Sequence, residues 1–156
     1  MDRKTVLRSL AVASVAACGL LVAVAPAHAV PPAPAVVGGD VIRHDGIQNL
    51  IIAKDIAATN VGRGSSCSIW NWDGGSAGNP VNPGGNCRTT SMNGRTYSWT
   101  VYSDTDAFTV RDEAYWLNMH GTWHRIGASI YTKINDAENA HCYRESDGVN
   151  CYVEWG

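Results

Sequence analysis

Residues 96–101, Thr-Tyr-Ser-Trp-Thr-Val, alternate between polar and apolar side chains. Tyr97, Trp99 and Val101 fall on one side and Thr96, Ser98 and Thr100 on the other, the period of two that a half-buried strand requires. The polar break Ser103-Asp104-Thr105-Asp106 leads into Phe108-Thr109-Val110, so residues 94–110 read as strand, tight loop and strand. Tyr97 and Trp99 are assigned to the interior, and Trp155 near the C-terminus with them.

The same alternation marks the other elements. Residues 49–57 predict a strand, and residues 67–72, Cys-Ser-Ile-Trp-Asn-Trp, a second. The latter sets Cys67 and Ile69 on one face and Ser68, Trp70 and Trp72 on the other. Residues 114–118 read as a strand ending in a turn over residues 119–124. Residues 125–135 follow as a longer strand, with Ile126, Ala128, Ile130 and Ile134 inward and Ser129, Tyr131 and Lys133 outward. Residues 136–139 suit one helical turn. No helical period persists for three turns, and turn signals separate the short strands. The pattern therefore predicts an all-β fold, a small antiparallel β-sandwich or barrel, as a single domain over residues 41–156.

The N-terminus follows a different rule. Arg3, Lys4 and Arg8 precede a continuous apolar run over residues 10–24, and Ala27-His28-Ala29 supplies the small residues of a cleavage site. Residues 1–29 read as a cleaved signal peptide, and the Pro/Gly-rich residues 30–40 as a flexible leader. Residues 15–18 resemble a lipobox, but apolar chain continues past Cys18, so a secreted, extracellular product is the expectation and no membrane insertion follows cleavage. The whole chain carries a formal charge of −2 with its basic residues scattered singly, which disfavours a nucleic-acid partner.

Of five cysteines, Cys18 belongs to the signal, which leaves Cys67, Cys87, Cys142 and Cys151. An even number in an exported chain predicts two disulfides. The sequential pairing, Cys67–Cys87 and Cys142–Cys151, is favoured. The second pair brackets Asp147-Gly148, a hairpin turn signal. Zinc is disfavoured, because no Cys-x-x-Cys or finger-type histidine spacing is present.

Few arrangements suggest catalysis. Residues 74–78 match the nucleophile-elbow pattern G-x-S-x-G, but inside an Asn/Gly/Pro loop with no helix to follow, and abundant glycine accounts for the match. His120 and His124 stand four residues apart, yet Gly121 between them opposes the helix that metal spacing would need. Asp104, Asp106, Asp112 and Glu113 group four carboxylates, from which Asp104 and Asp106 are the calcium candidates, although both also suit a plain turn. A secreted hydrolase using Asp104, Asp106 or Glu113 with His120 or His124 is the enzymatic alternative. No cofactor pattern is present.

The aromatic content changes the picture most. Six tryptophans and six tyrosines accompany a single phenylalanine, a bias toward rings with a polar edge. If Cys67 and Ile69 face the core, Trp70 and Trp72 face solvent beside the loop over residues 73–86, and Tyr131 meets the same test. The leading expectation is a secreted, non-catalytic binding module for an extracellular polysaccharide or protein. Its surface would be Trp70, Trp72, Asp73, Asn79, Asn82 and Tyr131. A protease inhibitor presenting the disulfide-pinned loop is the remaining alternative.

Overall fold

Two eight-residue strands that flank the Asp147-Gly148 turn dominate the computed structural model, which describes residues 39–54, 56, 67–72, 74–83 and 87–156. The first of them is β8 (Glu138–Glu145) and the second β9 (Gly148–Trp155). Ser146 and Asp147 make the two-residue loop, and Gly148 takes the positive φ (132°) that lets the chain enter β9. Cys142 lies directly opposite Cys151 in the ladder, and the two are disulfide-bonded. Cys67 and Cys87 form the second disulfide.

The remaining strands are β1 (Asp40–Arg43), β2 (Leu50–Lys54), β3 (Arg88–Ser91), β4 (Ala107–Val110), β5 (Tyr115–Met119), β6 (Thr122–Ile126) and β7 (Thr132–Lys133). They form a five-stranded sheet in the order β1-β8-β9-β5-β6 and a four-stranded sheet in the order β3-β2-β4-β7. The second sheet is antiparallel throughout. The first is mixed, because β1 runs parallel to β8 and β5 parallel to β9, so the wholly antiparallel expectation is corrected. Neither sheet closes into a barrel among the described residues. One hydrophobic cluster draws on both sheets: Leu50, Ile52, Phe108 and Val110 from the four-stranded sheet, and Tyr115, Leu117, Ile126, Ala140, Val149 and Val153 from the five-stranded one. Each such side chain, taken fully out of water, contributes about 1.5–3 kcal/mol before entropy is charged against it.

The opposite face of the four-stranded sheet is also covered. Ala53 and Ala107 point there and meet Cys67, Ile69 and Cys87, with Ile56, Trp72 and Tyr131 packed around them. The Cys67–Cys87 disulfide thus anchors a second, smaller core.

Residues 96–101 do not form the expected strand. Tyr97 makes one bridge to Ile42, and Ser98–Thr100 is a 3-10 turn. The cause is Asp40, buried at 6 % exposure, whose Oδ1 accepts the backbone N–H of Ser98 at 3.1 Å, that of Trp99 at 3.3 Å and the Ser98 hydroxyl. Ser98 Oγ in turn accepts the Val41 N–H at 2.9 Å. A buried carboxylate must find donors, and these curl the segment into a turn. Its side chains are displaced accordingly: Tyr97 is exposed and Trp99 half-buried, and at the chain's end Trp155 is exposed too, which corrects all three interior assignments. The second half of the expected unit, residues 108–110, does lie in a strand, β4.

Three other local readings change. Residues 67–72 make only single bridges, at Ile69 to Val81 and to Tyr131, before turning. The run over residues 125–135 is broken by a turn at residues 127–130, where the Ile130 N–H donates to Gly127 O and Ser129 adopts φ 61°. Residues 136–139 hold no helix, since β8 starts at Glu138. The expected signal peptide and most of the expected leader lie outside the described residues. Gly39 and Asp40 at the leader's end are buried, and Asp40 opens β1.

Candidate functional site

The cysteine pair decides which way β8 and β9 present their side chains. Cys142 and Cys151 are buried, and Ala140, Val149 and Val153 share their side. Because strand side chains alternate, His141, Tyr143 and Glu145 on β8 and Asn150, Tyr152 and Glu154 on β9 face the other way. Leu117 on β5 points into the core, so Trp116 and Asn118 join this outer face, as do Trp123 and Arg125 on β6. Across the sheet the register lines these residues into two rows. One reads His141, Tyr152, Asn118, Trp123 and the other Tyr143, Asn150, Trp116, Arg125. At about 4.8 Å between strands, each row spans roughly 15 Å.

The tight β5–β6 turn holds the far edge of the face. His120 (φ 49°) and Gly121 (φ 89°) are both left-handed, the geometry of a two-residue hairpin loop, and the Gly121 N–H donates to Asn118 Oδ1 at 2.8 Å. The His120 ring stacks on Trp155, centroids 4.5 Å apart. Its Nε2 lies 2.7 Å from Oε1 of the buried Glu138, whose other oxygen accepts the Asn135 N–H.

The rings do not lie flat. Tyr152 meets Trp123 edge to face (5.4 Å, 75°) and Tyr143 likewise (6.0 Å, 77°), while His44, just after β1, stacks parallel on Tyr143 at 3.9 Å. The Arg125 guanidinium covers Trp116 at 5.0 Å. Upright rings leave open depressions between them, and Tyr152 is common to three. One, of about 420 Å³, is lined by His141, Tyr143, Glu145, Tyr152 and Glu154. The second lies among Trp116, Trp123, Glu145, Asp147, Asn150 and Tyr152. The third is bounded by Asn118, His120, Tyr152, Glu154 and Trp155. Trp116 and Trp123 are 36 % and 48 % exposed.

The field over this face is negative. The Tyr152 hydroxyl is held above the ordinary tyrosine range, first by desolvation and then by the charges of Glu145 and Asp147. Asp147 is fixed by the Asn150 amide, which donates to Oδ1 at 3.1 Å. Glu154 faces His141 Nε2 at 3.4 Å. The His44 imidazole is pushed below the usual histidine range by burial and by His141, against a smaller opposing pull from Asp45, and its Nε2 is buried with no hydrogen-bond partner among the described residues.

Among the described residues, none of those expected to bind ligand lies on this face, and of the hydrolase candidates only His120 borders it. Trp70, expected at the surface, is only 4 % exposed. Its Nε1 donates to Thr132 Oγ1 at 3.0 Å, and its ring packs on His124 at 4.5 Å. Cys67 and Ile69 do face a core, the smaller one, but Trp70 on the other side enters the main core and Trp72 packs against the smaller one, so this segment is covered on both sides. Trp72 is half-buried under the Lys133 ammonium, 4.6 Å from the ring centroid, and Tyr131 is half-buried beside it, its hydroxyl raised by desolvation. Asn79 and Asn82 are exposed on the pinned loop, and Asp73 lies outside the described residues.

The carboxylates and histidines of the hydrolase alternative are also dispersed. Glu113 pairs with Arg144, Asp106 accepts the Ile56 N–H at 3.0 Å, and Asp112 accepts the Asn49 amide. Asp104 is exposed. His120 engages Glu138 whereas His124 lies under Trp70, so the two do not act together. Among the described residues no group of three or more His, Cys, Asp or Glu is placed to hold a metal.

One available signal pointed to the missed residues. If Cys142 and Cys151 are bridged across a hairpin, they share a face, and His141, Tyr143, Asn150 and Tyr152 must occupy the opposite one. No protein-family model matches the chain, and neither a curated protein nor a solved structure shows significant similarity to it.

Proposed function

We propose that this is a secreted, non-catalytic binding module that takes a polysaccharide on the outer face of the five-stranded sheet. The observation that carries this reading is the double row of rings, amides and carboxylates centred on Tyr152, which no other sheet covers among the described residues, flanked by the exposed Trp116 and Trp123. Exposed aromatic patches cost solvation energy and commonly mark interaction sites. Sugar rings offer C–H faces to indole and phenol, while their hydroxyls seek the donors and acceptors that Asn118, Glu145 and Glu154 supply. Polar groups sit beside every ring here, whereas a protein-binding hot spot is centred on a desolvated apolar anchor.

The two sheets are read as layers of an open sandwich, one outer face sealed by the smaller core and the other left for ligand. Two disulfides suit an oxidising, extracellular-type compartment, and among the described residues no helix is long and apolar enough to cross a membrane.

The test is a depletion assay with the oxidised protein on insoluble polysaccharides, reading both protein lost from solution and soluble product released. Binding without product is expected. The Trp116→Ala, Trp123→Ala double variant should bind at least about tenfold more weakly, the equivalent of about 1.4 kcal/mol. Release of product, or depletion that the double variant leaves intact, would overturn the proposal.

A further inference from the structure

We infer that the ligand is a cationic glycan, a polymer of amino sugars whose amines are free and protonated; this rests on the polysaccharide reading above. Charge complementarity carries the argument. Each of the three depressions around Tyr152 has a carboxylate in its wall: Glu145 and Glu154 in the first, Glu145 and Asp147 in the second, Glu154 in the third. The four strands that present the face, β5, β6, β8 and β9, contain no lysine. Their two arginines are committed elsewhere, Arg125 over the Trp116 ring and Arg144 to Glu113. Of their two histidines, His124 packs against Trp70, and His141 lies beside Glu154 and 5.9 Å from the His44 ring. An anionic polymer would meet repulsion here, with no uncommitted arginine or lysine on these strands to answer it.

Glu145 is the centre of the arrangement. It lines the depressions on both sides of the upright Tyr152 ring, and no ion pair or side-chain hydrogen bond ties its carboxylate among the described residues. The raised Tyr152 hydroxyl reports the same negative field from the protein's side, since Glu145 and Asp147 both contribute to it. A neutral glycan would gain hydrogen bonds from these carboxylates but would leave their charge unanswered. A protonated amine answers it with a charge-assisted hydrogen bond. The surrounding tyrosine and tryptophan faces favour the same cation. Asp147, held by Asn150, is already positioned before the ligand arrives.

Titration calorimetry on the oxidised chain separates this inference from the reading beneath it. The probes are a glucosamine oligomer and an N-acetylglucosamine oligomer of equal length, both at the same mildly acidic pH. The free-amine oligomer should bind at least about tenfold tighter, and Glu145→Gln should weaken it about tenfold, about 1.4 kcal/mol, while weakening the acetylated one, which loses only a hydrogen-bond acceptor, far less. Added salt should weaken the free-amine complex selectively. Glu145 lies at an exposed hairpin end, so the variant should keep its thermal transition, and Glu154→Gln gives an independent second measurement. Equal affinity for the two oligomers, or tighter binding of the acetylated one, would overturn the amine inference while leaving a glycan site in place. Failure of both oligomers with depletion persisting on another polysaccharide would also overturn it. Failure of every polysaccharide in the depletion assay would remove both proposals together.

Discussion

Replacing Trp70 with alanine separates a core tryptophan from a surface one. The indole is 4 % exposed, packs on His124 and donates from Nε1 to Thr132 Oγ1 at 3.0 Å. Removing a buried Trp side chain costs about 3–5 kcal/mol in transfer and cavity terms. The hydrogen bond accounts for about 1 kcal/mol of this, because Thr132 Oγ1 keeps the Tyr115 hydroxyl at 2.7 Å and is not orphaned. Trp70→Ala should therefore lose about 4 kcal/mol, a large share of the roughly 5–15 kcal/mol that holds a domain together. Trp70→Phe, which retains most of the ring volume, should lose about half as much. Urea unfolding of the oxidised protein at constant m measures the difference directly. In a thermal scan the alanine variant should melt roughly 15 °C lower. Well below that transition it should still bind polysaccharide. The matching control is Trp123→Ala: the ring is 48 % exposed and meets Tyr152 only at its edge, so its loss should cost about 1 kcal/mol or less and weaken binding. A Trp70→Ala protein that loses less than about 1 kcal/mol but no longer binds would refute the assignment and return the binding surface to residues 67–72.

Three further outcomes follow from the same structure. Replacing Cys142 and Cys151 together by alanine opens a link with a sequence separation of 9 and should cost about 2.5 kcal/mol, against about 3 kcal/mol for Cys67 and Cys87 at a separation of 20; equilibrium unfolding of the two double variants checks the order. His44 has a folded pKa below its ordinary 6.5, so the unfolded chain binds more protons: stability should hold above that value and fall as pH drops through it toward the lower folded pKa. His44→Phe keeps the stack on Tyr143 and should flatten that part of the profile, and an unchanged slope would assign the proton uptake elsewhere. The hydrogen bond from Arg144 holds the Glu113 carboxyl below its ordinary 4.5, so their contribution is present above that value and disappears as pH falls through the folded pKa. Both side chains are more than a third exposed, so Glu113→Gln should cost under about 1 kcal/mol at neutral pH, a difference that acid unfolding curves should show vanishing at low pH.

The candidate site was half legible in the chain. Its disulfide and its turn were readable, because a short loop around Asp147-Gly148 leaves Cys142 one near partner and little choice of geometry. The open face itself was not. Trp116, Trp123, Tyr143 and Tyr152 look no different in sequence from Trp70, Tyr115 or Phe108, since aromatic residues serve cores and surfaces alike. The hydrolase candidates are spread apart for a related reason. Proximity in the chain suggested a carboxylate group, but separate partners, Arg144 for Glu113 and the Ile56 amide for Asp106, draw them apart.

Period-two alternation, glycine-marked turns and the four cysteines that follow Cys18 were enough to point to a mostly β fold, the strands β2, β4 and β5, and both disulfide pairings. Such local signals state which residues share a face, not what covers it. Only the tertiary structure could set β1 alongside β8 and β5 alongside β9, since parallel neighbours need connections that no local pattern encodes. It also decided that Asp40, far away in sequence, would curl residues 98–100 into a turn, because a buried carboxylate takes its donors wherever packing supplies them. Most consequentially, it covered both sides of the segment around Trp70 and left the far side of β8 and β9 bare. Burial is a property of the assembled layers, and the alternation of a strand is equally satisfied with either face turned to water.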